Sequence, residues 1–95
     1  MPPKPFSLSV LAALATGEAH VYAIEQQMIA DVRGAILISS RSVYREMPRL
    51  IAAGLVAATA DTRPQKYRLT PHGRRTLHTE RERALQTYRL LQKRL

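Results

Sequence analysis

The sequence predicts a mostly α chain with one small β-hairpin, an α+β arrangement. Three observations predict it. The chain has 95 residues and a mass of 10.7 kDa, the size of one small domain. Four stretches carry apolar residues at helical spacing, each bounded by a capping residue, a proline or a glycine. Two short apolar runs flank the turn-rich segment ADTRPQ (residues 60–65), as the strands of a hairpin do.

Residues 1–6 hold three prolines and read as an extended arm. Ser7 is read as the N-cap of a first helix over residues 8–16, closed by Gly17. Leu8, Leu11, Ala12, Leu14 and Ala15 form its apolar side. A second helix over residues 21–32 stops near Gly34. Tyr22, Ile24, Met28 and Val32 are its apolar contributors, with Glu25, Gln26 and Asp31 facing out. Residues 35–38 are apolar, β-prone and too short for a helix, so they read as a one-strand connector. Ser39 caps a third helix over about residues 40–53, which Gly54 ends. Residues 55–59 and 66–70 are the hairpin strands, with Tyr67 and Leu69 inward and Arg68 outward. Thr70 and Pro71 supply a cap and a first-turn proline for a last helix over about residues 71–95. Helix, helix, short strand, helix, hairpin, helix is the order of a winged helix-turn-helix domain, here residues 1–70, with a C-terminal helix, residues 71–95, added to it.

Charge narrows the function classes. Fifteen Lys and Arg against seven Asp and Glu give a net charge of +8. Residues 1–40 carry a net of −1 and residues 41–95 a net of +9. A basic half joined to a neutral half points to a polyanion partner, double-stranded DNA first among them. Twelve of the fifteen bases are arginine, which suits bidentate contacts to phosphate and guanine. Thirteen alanines fit a GC-rich coding composition that by itself enriches arginine, but composition does not explain the asymmetry.

The third helix carries the expected reading surface. At 100° per residue with Arg41 as zero, Arg45 falls at about 40° and Arg49 at about 80°. Val43, Met47, Leu50 and Ile51 fall at about 180° to 280°. Three arginines thus share a face opposite an apolar stripe. One side packs on the first two helices while the other meets phosphates and base edges. A plain amphipathic helix with a solvated polar face gives the same pattern; the element order and the net charge favour the DNA reading. Ser39, Ser40, Ser42 and Tyr44 join Arg41, Arg45 and Arg49 as candidate contacts, and Glu46, at about 140°, is expected to orient an arginine or to accept from cytosine. Arg63 and Lys66 on the wing suit phosphate or minor-groove contact. Pro48 removes one backbone bond inside this helix, so a kink, a re-aimed second half or a later start is expected.

The last helix reads as a dimer element. Leu77, Ala84, Leu85, Tyr88, Leu91 and Leu95 fall near a 3–4 spacing, with a charged opposite face. About 25 residues span roughly 37 Å, more than so small a core covers, so a second copy is expected to cover the far end. A two-fold pair places two reading helices on half-sites about 34–36 Å apart.

Other chemistries find no support. No cysteine is present, which excludes disulfides, thiolate zinc sites and cysteine nucleophiles. No apolar run nears the roughly 18 residues of a membrane span, and the start lacks a signal-peptide core; a cytoplasmic location is expected. There is no G-x-S-x-G, P-loop, G-x-G-x-x-G or H-E-x-x-H motif. His20, His72 and His78 are scattered and Glu80 and Glu82 diverge on a helix. His20 is expected to orient backbone at a helix start or to pack on Tyr22. No enzymatic activity, cofactor or metal is expected. The competing reading is a winged-helix protein–protein interaction module whose basic face meets an acidic protein. A basic helix lying on an anionic membrane fits less well than a helical seam.

SVYREMPRLIAAGLV (residues 42–56) followed by KYRLTPHGRRTL (residues 66–77) resembles PadR-type transcriptional regulators. These show a T-L-Y-R-A-L-x-R-L-E-x-x-G-L-I stretch, then Y-R-L-T-x-x-G-R-x-x-L. Tyr44, Arg45, Leu50, Gly54, Leu55, Tyr67, Leu69, Thr70 and Gly73 fall at matching places. Upstream, LAALATGEAHVYAIEQQM is similar to the family's L-x-L-L-x-x-G-P-x-H-G-Y-E-I segment through Leu14, Gly17, His20 and Tyr22. The likeness covers about residues 8–77. Val21 and Arg41 stand where the family has glycine, and Pro48 is unusual for it. The resemblance implies a dimeric bacterial repressor whose C-terminal helices pair. Some relatives bind aromatic or drug-like ligands at the dimer centre. With no tryptophan and few aromatics, that role is not carried over, and any small-molecule effector stays unassigned.

Overall fold

Lys4 is extended and Pro5 opens the first helix, α1 (Pro5–Leu14). In the computed structural model, which describes residues 3–32, 38–59 and 63–95, Pro5 and Phe6 of the expected arm of residues 1–6 are therefore helical, and residues 1 and 2 lie outside the described residues. A proline at the first helical position gives up only an N–H that would lack a partner there, and its fixed φ starts the turn. Ser7 is consequently not a cap. It lies inside α1 and is buried. The helix also ends earlier than its spacing predicts, at Leu14, and Gly17 follows with φ +145.

After α1 comes a strand the sequence reading missed, β1 (Ala19–His20). Two residues offer no alternation to read. The strand expected over residues 35–38 falls, apart from Ile38, outside the described residues, as does the stop near Gly34. Helix α2 (Val21–Val32) has the expected bounds. The His20 Nδ1 accepts from the Ala23 backbone N–H at 3.3 Å, so this histidine does orient backbone at the helix start. Tyr22, expected to face inward, is instead 55% exposed, while Ile24 and Met28 are buried.

Helix α3 (Ser40–Ala52) follows, then β2 (Val56–Ala58), β3 (Lys66–Leu69) and α4 (Pro71–Arg94). The three strands form one antiparallel sheet in the order β1-β3-β2. Ala19 lies opposite Tyr67, and Val56 opposite Leu69. A hairpin alone was expected; β1 makes it a three-stranded sheet anchored to the body of the domain. Tyr67 is buried and Arg68 exposed, the alternation a pleated strand imposes.

The core is built from Val10, Leu11, Leu14, Ile24, Met28, Val43, Met47, Leu50, Leu55 and Val56, with Tyr67. Helices α1, α2 and α3 pack around it and the sheet closes one side. The start of α4 is fixed to the same body. Thr70 caps it by accepting from the Gly73 N–H at 2.9 Å, and the Thr70 hydroxyl donates to the Gly54 carbonyl at 2.6 Å. The Thr70 N–H donates to the Leu55 carbonyl at 3.1 Å. A Cβ on Gly73 would fall 2.1 Å from that Leu55 oxygen, so only glycine lets the backbones approach this closely. The expected layout of four helices with a small sheet is thus the one observed.

Candidate nucleic-acid interface

Both ends of α3 are specified locally. Ser39 is extended and its Oγ accepts from the Ser42 N–H at 3.2 Å, satisfying one of the free donors of the first turn. At the other end Gly54 takes φ +75. The Gly54 N–H reaches the Ile51 carbonyl and the Leu55 N–H the Leu50 carbonyl, both at 2.9 Å. That paired closure, with Leu50 and Leu55 both buried, is a Schellman motif with its apolar contact.

Between these ends the helix runs unbroken through Pro48, and the start at Ser40 is not delayed. The bond Pro48 removes would have gone to the carbonyl of Tyr44. Both residues are exposed, and at about −20° from Arg41 the proline sits on the outer face. Water can serve the freed carbonyl.

The two faces separate as the spacing predicts, with one exception. Val43, Met47 and Leu50 are buried, at 3% exposure or less, whereas Ile51 is 41% exposed at the edge of the stripe. Arg41, Arg45 and Arg49 are all exposed. Among the described residues no carboxylate lies within ion-pair distance of them; the single ion pair there is Arg83 with Glu80 at 3.2 Å. Tyr44, 65% exposed, stands beside them. An uncompensated row of guanidinium groups on a rigid helix, backed by a packed core, is suited to phosphate and base edges.

The serines are more internal in their bonding than expected. Ser39 and Ser42 share a hydroxyl contact at 3.0 Å, and Ser40 donates to the Glu25 carboxylate on α2. They build the start of α3. Glu46 does not orient an arginine as expected: it is half-buried and accepts from the Ser7 hydroxyl on α1 at 3.0 Å. No local pattern reports a contact between residues thirty-nine apart.

On the wing, Arg63 is exposed and Lys66 half-buried opposite His20. The turn residues 60–62 lie outside the described residues. Thr59 at the end of β2 donates to Glu18 at 3.1 Å, tying the wing base to the segment before β1. Burial, with the Tyr44 phenol nearby as a smaller cause, holds the Tyr67 phenol above the ordinary tyrosine value.

The expected dimer residues divide in two. Leu77 is half-buried against its own core. Ala84, Leu85, Tyr88, Leu91 and Leu95 are exposed, as is every residue of α4 from 81 onward. Leu8, Ser9 and Ala12 of α1 line an open cleft of about 320 Å³ with Leu77, Glu80, Arg81 and Ala84. Among the described residues no His, Asp and Glu are grouped as metal ligands, and no helix is long and apolar enough to cross a membrane.

Comparison with known proteins places this geometry. No curated protein matches the sequence. Among solved structures, a transcriptional regulator from Clostridium thermocellum is similar with a TM-score of 0.77 at 20% identity, over 92% of this chain and 89% of that one. PadR from Bacillus subtilis in complex with operator DNA matches with a TM-score of 0.69 at 20% identity, over 80% of this chain and 46% of that one. A PadR family transcriptional regulator from Eggerthella lenta is 30% identical with a TM-score of 0.61, over 88% of this chain and 75% of that one. The Transcriptional regulator PadR-like family matches residues 10–79, which runs from the middle of α1 to the start of α4 and takes in the helix that carries the arginine row. With that match spanning most of its length, the chain belongs to the PadR-like family of transcriptional regulators.

Proposed function

We propose that the chain is a homodimeric repressor that binds a palindromic operator in double-stranded DNA. The observation that carries this reading is the row of Arg41, Arg45 and Arg49, exposed on one face of α3 and free of carboxylate partners among the described residues. In this reading α3 enters the major groove. Arg45 and Arg49 meet base edges or phosphates, and Arg41 and Tyr44 flank them. Ser39, Ser40 and Ser42 lie at the helix start close to the backbone, while Arg63 and Lys66 of the wing lie along the neighbouring phosphates. The likeness to a regulator solved on operator DNA points the same way.

Two copies pair through the distal part of α4, with Leu85, Tyr88, Leu91 and Leu95 in the seam beside Ala84 and the end of the Leu77 packing. The domain of residues 1–70 reads DNA and residues 71–95 join the copies, in the cytoplasm where the operator lies.

Selection from a random duplex pool tests this. An inverted repeat with half-sites about one helical turn apart is expected. Its affinity should fall steeply with salt, by about 0.9 log units per log unit of salt for each phosphate neutralised. Arg45→Ala should lower affinity and relax base preference at one position if it reads a base. If selected and random duplexes bind alike, and Arg41, Arg45 and Arg49 can all be replaced without effect, the reading is wrong. Capture of an acidic protein by the same face would then favour the interaction module.

A further inference from the structure

Two carboxylates sit next to the arginine row, and neither pairs with it. Glu46 is on α3 itself, at about 140° from Arg41 and one helical turn before Arg49. An acid and an arginine at i and i+3 are surface neighbours, so a Glu46–Arg49 ion pair is open to the helix. The structure does not make it. Glu46 turns inward and accepts from the Ser7 hydroxyl at 3.0 Å. Ser7 is 7% exposed and is the one buried polar residue of the described core. At the other end of the helix Glu25 of α2 accepts from Ser40. Each acid beside the cationic face is thus occupied by a serine.

We infer that Ser7 is a positioning residue for DNA binding: by holding the Glu46 carboxylate against α1, it keeps Arg49 unpaired and a negative charge off the DNA-facing side. The inference rests on the DNA-binding reading. The physical reason is a competition for one acceptor. A charged acceptor strengthens the hydrogen bond it receives, and the half-buried site shields that bond from water better than the helix surface would shield an ion pair. Without the hydroxyl, Glu46 loses its inward partner. A carboxylate left without one turns to the solvent side, where Arg49 is the nearest cation on the helix. An arginine so engaged neutralises one phosphate fewer.

The test uses the full chain and a duplex carrying the selected operator, with affinity measured across a salt series. Ser7→Ala should weaken binding roughly three- to tenfold and flatten the log–log salt slope by about one. Glu46→Gln, which keeps an acceptor but no charge, should bind at least as tightly as wild type. Combining Ser7→Ala with Glu46→Gln should restore binding, because an uncharged side chain cannot capture Arg49. A role confined to helix packing would not be rescued this way, so a double variant as weak as Ser7→Ala overturns the inference. Glu46→Asp gives a second route that leaves α1 untouched. Its carboxylate is one methylene too short for Ser7 and should reproduce the weakened binding and flatter slope. Wild-type slope and affinity in both Ser7→Ala and Glu46→Asp overturn the inference alone. A wild-type chain whose binding ignores salt overturns the DNA-binding reading, and this inference with it.

Discussion

Helix α3 and the distal part of α4 carry the same kind of sequence, leucines and other apolar residues at a 3–4 spacing with arginines opposite. In α3 the apolar side is covered by its own chain, and Met47 is 1% exposed. In α4 every residue beyond 80 is exposed, and Leu91 is 53% exposed. Amphipathic spacing therefore announces that a face will be covered, without saying by which molecule. What separates the two helices is reach. Helix α3 is held at both ends among α1, α2 and the sheet. Helix α4 outruns its core, in a molecule that measures 51 × 28 × 21 Å with that helix included.

The sharpest way to break this contrast is to truncate one residue in each region. Met47→Ala should lower unfolding free energy by about 2–5 kcal/mol through lost burial and a cavity, read by urea titration. Leu91→Ala should cost an isolated chain less than about 0.5 kcal/mol, and its effect should appear in sedimentation as weaker pairing. Equal losses of intrinsic stability from the two would mean that α4 folds back on its own domain in solution.

A smaller effect distinguishes the two caps. Ser39→Ala should cost about 1 kcal/mol, the worth of an ordinary N-cap. Thr70→Ala should cost more, because its hydroxyl both caps α4 and donates to Gly54. Thermal melts of the two variants rank them, and the reverse order would mean that α4 is not fastened to the end of α3.

The smallest effect concerns pH. Burial raises the Tyr67 phenol above its ordinary value, so the fold favours the neutral form. Its contribution is fully present below the unfolded value of about 10 and is lost as pH climbs through the folded one. Wild type should lose stability relative to Tyr67→Phe as pH rises above about 10, a widening gap in melting temperature.

The parts of this molecule that were legible in sequence are those fixed by neighbours along the chain. Ser39, Gly54, Thr70 and Pro71 mark helix ends through bonds within a few residues, and the α3 faces follow from spacing alone. Pro5, read as part of an arm, instead opens α1, since a proline at the first helical position gives up only an N–H that lacks a partner there. Strand β1 exists only because β3 lies beside it, so Ala19 and His20 carry no mark of their own. The Ser7–Glu46 bond joins residues that only the folded core brings together. Tyr22 and Ile51 were misplaced for a related reason: an apolar residue at the edge of a stripe is buried only if a neighbour reaches it.

Gly54 and Leu55, which finish α3, also receive the first turn of α4, with no side chain at Gly73 to keep the two backbones apart. The joint has no slack. In the proposed dimer, a twist applied to the projecting end of α4 by the second copy would be passed to the base of the arginine-bearing helix. The spacing between two such helices would then be set at this joint, about one turn beyond Arg49.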